Sequence, residues 1–151
     1  MTKKTKIALG VFGAGLVGGV ALAMFNDMTA TREPTATERL RRLAEDGPYV
    51  DVTMFELAKA YDENQVSADG RYRGRALRVA GSVSAVLRDR DGAPLVFLGS
   101  SRNRNLVGCA GVDEHTAARQ EPGDGVVMKG VSVGSQSGMP MMLFCSIEMA
   151  R

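Results

Sequence analysis

Residues 75–88 read Arg-Ala-Leu-Arg-Val-Ala-Gly-Ser-Val-Ser-Ala-Val-Leu-Arg, and the hydrophobic period in this stretch is two. Leu77, Val79, Gly81, Val83, Ala85 and Leu87 alternate with Arg78, Ala80, Ser82, Ser84 and Arg88. Successive side chains of a strand point to opposite faces, so the spacing predicts a strand with one buried side. The run is long for a strand. Gly81, near its middle, permits the sharp coil by which one strand serves two halves of a small barrel.

Downstream, Asp89 to Gly92 predicts a hairpin turn leading into a strand from Leu95 to Leu98. Ser100 to Asn105 is a polar loop, and Leu106 to Ala110 reads as a third strand. Asp113 to Gln120 reads as a short helix or helical turn, followed by a tight loop at Glu121 to Gly125. Val126 to Val133 is a fourth strand with Val127, Lys129 and Val131 on one side. The segment Gly134 to Gly138 closes a hairpin onto a fifth strand, Met141 to Met149. Five strands with a helical interruption between the third and fourth follow the order of an OB-fold barrel, so the expected class is mainly β.

Upstream, Met54, Leu57, Ala58 and Tyr61 recur at three and four residues while Glu56, Lys59 and Asp62 face water, which predicts an amphipathic helix from Thr53 to Asn64. Thr53 and Glu56 make a capping box, and the apolar stripe calls for a partner surface that the barrel supplies. A shorter helix precedes it: Thr37 is the expected N-cap, Leu40 and Leu43 share a face, and Gly47-Pro48 stops it. Thr29 to Thr37 is small and polar and contains Pro34, as in a linker.

Lys3, Lys4 and Lys6 precede an uncharged run from Ile7 to Phe25, the pattern of an export segment whose basic end stays on the cytoplasmic side. Cleavage after Ala21-Leu22-Ala23 and retention as a membrane anchor are both open. No cysteine follows the run, which argues against a lipid anchor. Gly13-Ala14-Gly15-Leu16-Val17-Gly18 fits the G-x-G-x-x-G dinucleotide pattern, but the second strand ending in an acidic residue that such a site needs is missing. The expected organisation is a signal peptide or transmembrane anchor over residues 1–28, a linker with a short helix over 29–50, and an OB-fold domain over 51–151.

The chain has 151 residues, 18 of them Gly and none Trp, so its core must come from Val, Leu, Ala and Met. Residues 48–151 carry 12 basic and 12 acidic side chains, and this neutral balance argues against nucleic acid as the main partner. Cys109 and Cys145 are 36 residues apart and fit no metal spacing. In an exported chain they are expected to form a disulfide contributing about 3 to 4 kcal/mol. In a cytosolic one they would be two buried thiols.

Leu57, Ala58, Tyr61, Asn64, Ala68-Asp69, Tyr72 and Gly74, followed by Val79, Gly81 and Val83, resemble the tRNA-anti-like OB-fold proteins, many of them exported bacterial lipoproteins or envelope proteins. The resemblance covers residues 53–149. It implies an OB barrel capped by an N-terminal helix, with one cysteine in the third strand and one in the last, and it transfers no catalytic residues.

OB barrels that bind single strands use aromatic platforms on the second and third strands inside a basic groove. Phe97 is the aromatic available there. Arg71, Arg73 and Arg75 around Tyr72, with Arg102 and Arg104 in the loop, are the candidate anion-binding or partner-binding residues. Met128, Met139, Met141, Met142 and Met149 suggest a copper site, but strand alternation sends Met141 and Met142 to opposite faces. His115 stands alone beside Asp113 and Glu114.

No nucleophile, paired-carboxylate or triad arrangement assembles from these residues, so neither an enzyme nor a cofactor is expected. The sequence points to a non-catalytic module in the periplasm, or at the inner membrane with its domain in the periplasm. It would bind an envelope protein or assembly, with the membrane as a further partner through residues 7–25 if they are retained. Binding of an oligonucleotide or polyanion through the arginines is the alternative.

Overall fold

A computed structural model describes residues 33–100, 102 and 105–150. The export segment and its glycine motif lie outside the described residues, as does Arg104. Among the described residues no helix is long and apolar enough to cross a membrane.

The elements in chain order are α1 (Ala36–Asp46), β1 (Tyr49–Thr53), α2 (Met54–Glu63), α3 (Gln65–Tyr72), β2 (Ala76–Arg88), β3 (Pro94–Ser100), β4 (Asn105–Ala110), α4 (Glu114–Ala118), β5 (Gly125–Gln136) and β6 (Met139–Met149). The molecule is mainly β, a six-stranded sheet in the order β1-β2-β3-β4-β6-β5 with a further pairing of β2 to β5. The five expected strands are all present. The sixth, β1, was not foreseen: it lies parallel to β2 from Tyr49 opposite Ala76 to Thr53 opposite Ala80.

β2 does serve two halves of the sheet. Ala76 to Ser82 pair with β5, whereas Val83 to Arg88 pair with β3. The register slips between Val83 and Ala85, leaving Ser84 as an extra residue. An extra residue inverts the alternation beyond it. Val86 therefore packs toward the core, and Leu87, placed on the buried face by simple alternation, is 56% exposed.

α1 begins two residues earlier than expected. Its N-cap is Thr35, not Thr37, because Glu38 completes the reciprocal box: the Thr35 hydroxyl accepts from the Glu38 amide at 3.2 Å and the Glu38 carboxylate accepts from the Thr35 amide at 2.6 Å. Gly47 ends the helix at φ +73°. α2 is capped by Thr53 and Glu56 as expected. Asn64 then closes α2 and caps the unforeseen α3, accepting from the Ser67 amide at 3.0 Å.

Leu57, Ala58 and Tyr61 of α2 and Ala68 of α3 join Leu77, Val79, Val83, Val96, Leu98, Val107, Met128 and Met142 in one core cluster. A fully buried Leu or Val contributes about 1.5 to 3 kcal/mol through removal of apolar surface from water. Tyr61 keeps its hydroxyl paired by donating to Asp69 Oδ1 at 2.9 Å, which ties α3 to α2. Burial pushes the Tyr61 phenol up from its ordinary value.

Cys109 and Cys145 form a disulfide inside this core. Phe144 makes that possible. Lys129 faces Ser146 and Val131 faces Leu143, so β6 carries one residue more than β5 across this step, and Phe144 takes the left-handed φ of +56°. With Met142 pointing in, this bulge returns Cys145 to the interior.

Candidate functional site

The outward side of the sheet holds the most distinctive surface. Strand alternation places Val96, Leu98, Val107, Cys109 and Met142 inside, so Leu95, Phe97, Ala110, Met141 and Leu143 point outward. Register brings them into two rows across four strands. One runs Ala85, Phe97, Gly108, Met141, and the other runs Leu87, Leu95, Ala110, Leu143. Every member is apolar, and none carries a charge to face water.

Gly108 shapes the first row. A Cβ there would lie 2.5 Å from Met141 Sδ and 3.1 Å from Phe97 Cε1, so the missing side chain lets the ring and the thioether close over the backbone. Phe97, the expected stacking platform, is accordingly half-buried and shares the space over Gly108 with Met141. At the rim, a cleft of about 220 Å³ is lined by Val86, Leu87, Arg88, Pro94, Glu114, Ala117 and Ala118. Arg88 is ion-paired with Glu114 there and donates to the Gly92 carbonyl at 2.6 Å. The Arg88 guanidinium holds the Glu114 carboxyl below its usual range.

A larger groove of about 620 Å³ lies between β1, the start of α2 and the end of β6, lined in part by Asp51, Glu56, Arg78, Val127, Glu148 and Met149. Its charged groups are already engaged. Arg78 pairs with Asp51 (Nη2 to Oδ2 2.8 Å), and Lys129 donates to Glu148 at 2.6 Å. The Arg78 guanidinium lowers the Asp51 pKa, and the Thr53 amide and hydroxyl lower that of Glu56. These interactions favour the ionised form of both carboxylates.

Of the expected arginines, Arg71, Arg73 and Arg75 are exposed at the junction of α3 and β2. Arg73 lies 3.5 Å from Asp69, and Arg71 sits over the Tyr72 ring at 5.8 Å. Arg102 is exposed in the separate loop between β3 and β4. The Asp89 carboxylate accepts from the Asp91 and Ala93 amides and builds the β2–β3 turn.

The methionines do not converge, since Met128 and Met142 are buried inside, Met141 is on the outer face and Met149 is 61% exposed. Among the described residues no group of three or more His, Cys, Asp or Glu could hold a metal ion.

The apolar rows were missed in the sequence, although a signal was present. Leu95 to Leu98 and Met141 to Phe144 are apolar at every position, the pattern of strands covered on both faces.

Comparison with known proteins adds three findings. The profile of the tRNA_anti-like family matches residues 1–146. No curated protein matches the chain. A crystal structure from Klebsiella pneumoniae subsp. pneumoniae, described provisionally as a nucleic acid-binding lipoprotein, superposes with a TM-score of 0.54 at 14% identity, over 77% of this chain and 99% of that one.

Proposed function

The chain belongs to the tRNA_anti-like family, and from that premise we propose that it is a non-catalytic OB-fold binding module of the bacterial envelope, acting through contact with another protein. The circuit β2-β3-β4-β6-β5-β2 reads as the OB barrel, with β1 added beside β2 and α2 packed into the core. The likeness to a lipoprotein and the lysine-flanked apolar run support the envelope setting.

One observation carries the choice of a protein partner. β3 and β4 are the strands on which OB domains that bind single strands display stacking aromatics in a basic groove, and here their outer face is an uncharged apolar surface. Affinity purification of the full chain from envelope extracts, beside its Phe97→Glu variant, tests this. A partner recovered with the parent and lost with the variant is the expected result; the same proteins recovered with both would sink the reading.

Oligonucleotide or polyanion binding through Arg71, Arg73, Arg75, Arg102 and Arg104 is the second reading, supported by the description of the Klebsiella lipoprotein. It requires binding that weakens steeply with salt. Fluorescence anisotropy of a labelled single strand at low salt decides it, and a flat titration rules it out.

A further inference from the structure

The row Leu87, Leu95, Ala110, Leu143 does not stop at β6. Leu143 pairs with Val131 and Val131 with Ala76, so one apolar belt crosses all five strands of the circuit. Ala76 and Val131 are fully buried, yet they lie outside the core cluster, as does Ala44 of α1. α1 packs against β5, β6 and β2, and it is this helix that covers that end of the belt. The other end, from Leu143 to Leu87, has no such cover among the described residues.

We propose that the uncovered end docks the apolar stripe of an amphipathic helix from a partner protein; the inference rests on the interaction-module reading above. Three observations select a helix. First, the chain itself solves the same problem on the same belt with a helix. Second, the backbone groups beneath the patch are engaged in the strand ladders, so an extended segment laid on this face would find no partners for its own amides and carbonyls. A helix satisfies them internally. Third, strand spacing makes two rows over four strands a patch of about 200 Å². That is the footprint of about three turns of a single helix about 10 Å wide; it falls well short of the roughly 800 Å² each copy gives a standard dimer interface, so the helix contact is a small, transient one. Arg88, one of the cations near its rim, is tied to Glu114.

The test uses the full chain and a synthetic, fluorescent 18-residue peptide with Leu at three- and four-residue spacing. A peptide of the same composition, broken by a central Pro, serves as the comparison. The helical peptide should bind saturably and the broken one should not. Leu95→Glu and Leu87→Glu should each weaken binding at least tenfold. Leu87 is solvent-exposed, so its variant keeps the fold and the comparison interpretable. Equal binding of both peptides, no binding, or binding indifferent to both variants overturns the helix.

A photo-crosslinking residue at position 95, and in a second variant at position 97, supplies the second measurement in cells. A crosslink mapped to a partner segment with helical apolar spacing supports the proposal. One mapped to an extended segment overturns the helix but leaves the protein-binding module standing. A crosslink to a second copy or to lipid overturns the partner helix. Absence of any protein product from positions 95 and 97 counts against the module itself.

Discussion

Met54 occupies the space that a side chain at Gly81 would need: an ideal Cβ on Gly81 lies 2.6 Å from Met54 Cγ and 3.0 Å from its Cβ. Gly81 thus does more than let β2 coil. It receives the first turn of α2, which fixes where the helix meets the sheet.

Gly81→Ala is therefore expected to destabilise the domain by about 1 to 3 kcal/mol through overpacking. Met54→Ala in the same chain should restore part of that loss. Urea unfolding of the two single variants and the double variant measures the coupling, and strict additivity would show that the two sites do not meet.

The caps separate the expected and observed starts of α1. Thr35→Ala should cost about 1 kcal/mol through loss of the N-cap. Thr37→Ala should leave stability unchanged or slightly raised, because position 37 is helical and Ala is the better helix former. A loss confined to the Thr37 variant would contradict the observed start.

Removing the disulfide by replacing both cysteines with Ala should lower stability by about 2 to 4 kcal/mol. Cys109 is fully buried and Cys145 is 6% exposed, so reductant should act only after unfolding. Thiol titration in reductant, with and without guanidinium, checks this. Two titratable thiols in the absence of denaturant would refute the buried bond.

Acid should destabilise the domain. Hydrogen bonds from the Thr35 and Thr53 backbones hold the carboxyls of Glu38 and Glu56 below their usual values, and Arg78 and Arg88 do the same for Asp51 and Glu114. Folded-state values lower than the unfolded ones mean that this stabilisation is complete above the unfolded carboxylate range and disappears as pH falls through the folded values. Urea midpoints should fall from about pH 5 to about pH 2. Replacing Glu38 and Glu56 together by Gln should flatten that fall.

Much of the strand order was legible because alternation, glycines and polar turns coincide. The two-residue turn Ser137-Gly138, with φ of +53° and +82°, is one such case. β1 was hidden because Tyr49 to Thr53 runs directly into the helix that Thr53 caps, and a five-residue parallel strand has no hairpin to announce it. α3 was hidden by Ser67 and Gly70, which are weak helix formers held by the Asn64 cap and the burial of Ala68. The outer face could not be assigned while Leu87 was counted as core. Only pairing with β3 reveals the extra residue at Ser84 that turns it outward.

The Cys109–Cys145 bond also has a mechanical meaning. β4 and β6 are joined in register only from Gly108 to Ala110 against Met141 to Leu143, the shortest seam in the circuit. The covalent bond ties the two strands at that seam, so they cannot part there while it is intact. Phe97, Gly108 and Met141 straddle the seam, and the outer surface they build is therefore stitched from within, ready-shaped before anything lands on it.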